Sequence, residues 1–125
     1  MILMTAALCV FTLTAVLGLC IAFDLFRGKP AAPSASIIHG ITALVGSVFA
    51  IGAALLGETL VYINIVMAVV IILLGVGAAL KRRKTGVAPK ALLTVHILLA
   101  LVCYLILAAA VLTGYDAMGA LGIQW

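Results

Sequence analysis

The chain has 125 residues, 68% of them hydrophobic and 8% charged, where a soluble domain carries roughly 25% charged residues. A water-soluble fold of this size has too little interior to hide so much apolar surface, which excludes one and leaves lipid as the solvent. The net charge of +4 does not point to nucleic acid, because the basic residues sit in two short stretches with no aromatic platform or binding module beside them.

The first apolar run spans about residues 2–23. Asp24, Arg27, Gly28, Lys29, Pro30 and Pro33 follow it, and such residues cannot continue a spanning helix. Ser34 or Ser36 is placed to cap a second helix over about 34–56. Gly57-Glu58-Thr59 is the polar break before a third run, about 60–80. Lys81, Arg82, Arg83, Lys84 and Lys90 form a second basic loop over 81–90, and a fourth run covers about 91–113. At about 1.5 Å per residue, each run can cross a hydrocarbon core of about 30 Å. Backbone groups in lipid must satisfy one another, so each run is expected to be a helix.

Four spans put loops 24–33 and 81–90 on one side, and these loops hold every Lys and Arg. By the positive-inside rule they face the cytoplasm of a bacterial-type inner membrane, with both termini, Glu58 and Asp116 outside. Tyr115 and Trp125, in a tail over 114–125, are expected at the outer interface. Connections this short make consecutive helices antiparallel neighbours. The expected fold is an all-α, up-down bundle of four transmembrane helices in a single membrane domain, 1–125.

Displacing the sequence by 57 residues lays Leu17-Gly18 on Leu74-Gly75, Ala22 on Ala79, His39 on His96, and Ala43-Leu44-Val45 on Ala100-Leu101-Val102. Gly18 to His39 and Gly75 to His96 are the same distance along the chain, each pair straddling a basic loop. This pattern reads as a parallel repeat, about 1–57 and 58–113, and so as two tandem helical hairpins about a pseudo-two-fold axis along the membrane normal.

His39 and His96 are the two histidines of the chain. Each lies roughly 8 Å below the cytoplasmic boundary by helical rise. An ionisable group at that depth is expected to face the bundle interior with a partner. Two neutral imidazoles at matched depth suit the axial positions of a haem b iron. Gly18, Gly75, Ala22, Ala79, Ala43 and Ala100 lack the side chains that would block a flat porphyrin. Arg27, Lys29, Lys84 and Lys90 are within reach of propionates at the surface. The alternatives are that small residues only pack the helices, with the imidazoles bonded to a Ser, a Thr (Thr42 and Thr94 are near) or a backbone carbonyl, or that the pair serves a quinone, a chlorin or a proton.

This layout resembles cytochrome b561-like and other small four-helix membrane haem proteins, in which histidines from facing helices are the axial ligands. The resemblance rests on the bundle and on His39 and His96. It implies one haem, toward the cytoplasmic side, because the second histidine pair of the two-haem members is missing.

Asn64 is expected to make an interhelical hydrogen bond. Cys9, Cys20 and Cys103 read as packing residues, and Thr12, Thr14, Ser47 and Thr113 as bonded to their own helix backbones. Three dispersed acidic residues, Asp24, Glu58 and Asp116, offer no paired-carboxylate catalysis, and no phosphate loop, nucleophile elbow or metal motif is present. The sequence therefore points to an electron-transfer subunit working with quinone or a redox partner. The alternative is a cofactor-free accessory subunit of a larger, respiratory-type membrane complex or a homo-oligomer. Either role is expected ahead of that of a stand-alone enzyme.

Overall fold

The computed structural model describes residues 1–114 and contains four helices: α1 (Ile2–Phe26), α2 (Pro33–Leu55), α3 (Val61–Thr85) and α4 (Lys90–Thr113). There is no strand among the described residues. Tyr115, Asp116 and Trp125 lie outside them. All four helices are long and apolar enough to span a membrane. Their outward faces carry large apolar side chains, among them Leu19, Phe23, Val66, Leu73, Leu98 and Leu105, each more than half exposed. Water would penalise that surface and lipid does not.

The helix ends differ from expectation where polar residues prove compatible with helix. α1 runs on through Asp24 to Phe26. α3 continues through Lys81, Arg82, Arg83 and Lys84 to Thr85, so most of the second basic loop is helical and the turn shrinks to 86–89. Lys and Arg are good helix formers, and at a helix C-terminus their charge opposes the negative end of the helix dipole. Gly86 ends α3 in the left-handed region, φ 70°, donating its N–H to the Arg82 carbonyl, a stop that favours glycine. α2 starts at Pro33 rather than at a serine cap: Ala32 precedes it with no side-chain cap, and Ser34 falls inside the first turn. Proline suits that position because its φ is preset and it has no N–H to satisfy.

α1 packs against α2 and α4, and α3 against the same two, with the larger interfaces inside the hairpins α1–α2 and α3–α4. The four helices thus form a ring in which α1 lies diagonal to α3, and α2 diagonal to α4. The buried core is concentrated at the end away from the basic residues. There Met4 and Ala7 of α1, Ala50 and Ala53 of α2, Val61 of α3, and Leu107 and Ala110 of α4 make one cluster. Alanine dominates it, and small side chains are what let helices approach closely in lipid, where dispersion must replace the hydrophobic effect.

Three polar contacts tie that half together. Asn64, buried in α3, donates its Nδ2–H to the Cys103 carbonyl of α4 at 2.7 Å and lies 3.3 Å from the Cys103 sulfur, the interhelical bond expected of it. The hydroxyls of Thr12 and Tyr104 lie 3.0 Å apart between α1 and α4. Glu58, in the turn before α3, pairs with the Met1 amino group. Cys9 and Cys20 are exposed.

Candidate functional site

The other half of the bundle carries the histidines. His39 is the seventh residue of α2 and His96 the seventh of α4, so both lie about 9 Å along their helices from the basic end. α2 and α4 are diagonal partners, and the two rings meet across the middle of the bundle with centroids 6.4 Å apart and planes at 65°.

Each imidazole is held by the other helix of its own hairpin. His39 Nδ1 is 2.9 Å from the Thr14 carbonyl oxygen of α1, and His96 Nδ1 is 2.9 Å from the Ile71 carbonyl oxygen of α3. Thr14 and Ile71 are themselves 57 positions apart, so the bond obeys the same displacement as the histidines. A carbonyl can only accept, so in a neutral ring Nδ1 carries the proton and Nε2 keeps the lone pair. Neither Nε2 has a hydrogen-bond partner among the described residues. Neither is sealed in either, and both rings are only half-buried although they face the bundle interior. The arrangement leaves a free lone pair on each Nε2, with the tautomer fixed by the bond at Nδ1.

Glycine explains why those carbonyls can be reached. A helical side chain leans toward the N-terminus and covers the turn before it. A residue at 18 would therefore shield the carbonyl of residue 14. A Cβ built on Gly18 would stand 2.8 Å from His39 Cε1, and one on Gly75 would stand 3.0 Å from His96 Cε1. The vacancy at each glycine is thus filled by the imidazole itself, not left open for a flat macrocycle as the sequence suggested.

The remaining expected site residues divide. Ala43 and Ala100 lie one turn beyond the histidines on their helices, partly buried. Ala22 is buried, but its counterpart Ala79 is exposed, and Ala78 takes the inward place on α3. Arg27 sets its guanidinium 4.9 Å over the exposed Phe23 ring. Lys90 lines a cleft with Lys81 on the α3–α4 hairpin. Lys29 and Lys84 are exposed. Thr42 and Thr94 do not serve the rings; their hydroxyls donate to the carbonyls of His39 and Lys90. The bonds from Thr12, Thr14, Ser47 and Thr113 to carbonyls one turn back are present as expected.

Among the described residues no group of three or more His, Cys, Asp or Glu side chains is gathered. A bare ion would find two imidazoles and no more, too few for the tetrahedral or octahedral shells that such ions prefer. A metal held by the pair alone would have to bring its remaining ligands with it. Compared with known protein families, curated proteins and solved structures, the chain matches none.

Proposed function

We propose that this protein binds one b-type haem between α2 and α4, with Nε2 of His39 and Nε2 of His96 as its axial ligands. The observation that carries the reading is the pair of unpartnered Nε2 atoms on rings 6.4 Å apart. An imidazole nitrogen lies about 1.1 Å from its ring centroid and bonds a metal at about 2.0 Å, so two imidazoles on opposite sides of one ion have centroids about 6 Å apart.

A haem held this way supplies a one-electron couple. His39 and His96 would both hold the iron, and the chemistry the group would supply there is electron transfer. The carbonyls of Thr14 and Ile71 would hold the imidazoles in the tautomer that leaves Nε2 free to ligate. Gly18 and Gly75 let the rings lie against α1 and α3. Lys29 and Lys84 are the basic residues left to meet propionates at the membrane surface. The basic end is assigned to the cytoplasmic face of a bacterial-type inner membrane by the positive-inside rule. Electrons would then pass between this single site and a quinone or a partner redox protein on that side. The test is haem content: one haem per chain in protein from haem-replete cells, lost in His39→Ala and in His96→Ala.

A second reading keeps some support. Edge-to-face aromatic pairs have centroids about 4.5–7 Å apart, and 6.4 Å falls in that range too. The rings would then be a structural pair in a cofactor-free accessory subunit of a larger membrane complex. A colourless, folded protein from haem-replete cells would favour it.

A further inference from the structure

The two hairpins share a layout, and this makes their differences informative. On the α3–α4 hairpin a shallow, open cleft is lined by Lys81, Pro89, Lys90, Ala91, Leu92 and Val95. The equivalent positions on the α1–α2 hairpin, 57 residues earlier, put Asp24 in place of Lys81 and Pro33 in place of Lys90. One hairpin therefore presents two cations where the other presents one carboxylate.

Neither lysine has an ion-pair partner among the described residues. The chain's three acidic residues, Asp24, Glu58 and Asp116, fall elsewhere in the sequence. Lys81 lies one turn from the end of α3 and Lys90 opens α4, so both belong to the end of the bundle at which a spanning helix would meet lipid headgroups. Val95, about 7 Å deeper along α4, is 53% exposed. Charge above and apolar surface below describe an amphiphile with an anionic head.

We propose that this cleft seats one anionic glycerophospholipid, its phosphodiester between Lys81 and Lys90 and an acyl chain along Leu92 and Val95. The proposal does not depend on the histidine site. The attraction follows from charge: each basic side chain near the surface favours an anionic headgroup about fivefold, and two together on the order of 30-fold.

The experiment uses the full chain, delipidated in neutral detergent and titrated with phosphatidylglycerol or phosphatidylcholine under native mass spectrometry. One phosphatidylglycerol is expected to stay bound at concentrations where phosphatidylcholine does not. The Lys81→Ala/Lys90→Ala pair should weaken retention on the order of 30-fold, and Arg82→Ala/Arg83→Ala, two cations of the same helix end outside the cleft lining, should leave it unchanged. If the alanine pair does not fold, Lys81→Gln/Lys90→Gln removes the charge and keeps much of the stem. Soluble glycerol phosphate should not displace the lipid. Equal retention of phosphatidylcholine, equal weakening by both double variants, or displacement by glycerol phosphate would overturn the proposal. The last two would reveal diffuse charge and a small-anion site, respectively.

Discussion

Gly18 and His39 are fitted to each other: the imidazole of α2 lies where a side chain on α1 would be, and reaches the Thr14 carbonyl through that gap. Gly75 and His96 repeat the fit on α3 and α4. Adding a methyl group at either glycine must therefore move a ring. We expect Gly18→Ala and Gly75→Ala each to destabilise the bundle by about 1–3 kcal/mol, as overpacking does. Gly18→Ala should be the worse, since its Cβ would stand 2.8 Å from the ring against 3.0 Å at Gly75. Unfolding in mixed micelles measures the loss. ¹⁵N shifts of the imidazoles report whether the Nδ1–H tautomer survives, and equal, unchanged shifts in both variants would contradict the fit.

Asn64 offers a contrast, because its bond to Cys103 lies in the tightly packed half. Asn64→Leu should cost about 0.6 kcal/mol and no more than about 1.7, the range for interhelical hydrogen bonds in membranes. The imidazole shifts should stay as in the wild type. A change in them would mean that the two halves of the bundle are coupled.

The alanine cluster sets a steric limit. Ala53 is 1% exposed among Met4, Ala7, Val61 and Leu107, so Ala53→Leu should separate the helices and cost about 1–3 kcal/mol. Replacing the outward Val66, 65% exposed, by Leu should change stability by less than about 0.5 kcal/mol. Steric trapping or thermal scans in detergent distinguish the two.

Orientation follows from the basic residues. A cytoplasm-active reporter inserted in the 86–89 turn should be active, and one inserted at Gly57 inactive. Converting Lys81, Arg82, Arg83 and Lys84 together to Gln should produce a mixed population, because little basic charge then remains to hold that end inside. The reverse reporter pattern in the unaltered chain would place the histidines near the outer face.

The bundle was legible because composition alone decides it: four apolar runs of spanning length, separated by Gly, Pro and charge, allow little else. The equal depth of His39 and His96 was legible from the 57-residue displacement, and the structure seats both as seventh residues of their helices. Charge misled at the helix ends, since Asp24 and the run from Lys81 to Lys84 read as loop but continue their helices. The partners of the imidazoles were hidden for a different reason. Thr14 and Ile71 act through backbone carbonyls, which every residue possesses, so no side chain marks them. The glycines gave the one readable sign, and its meaning was displaced by one layer, from the expected porphyrin to the ring that Gly18 and Gly75 actually receive. Ala79 fails for want of rotational register: the repeat pairs it with Ala22, yet α3 turns Ala78 inward.

The paired imidazoles are tested most directly by the dithionite-reduced minus oxidised absorption spectrum of the purified protein, beside His39→Ala and His96→Ala. Six-coordinate haem predicts a Soret band with sharp α and β bands in the wild type, and their loss in both variants. A wild-type spectrum without these bands, or bands that persist when either histidine is removed, would contradict axial ligation by this pair.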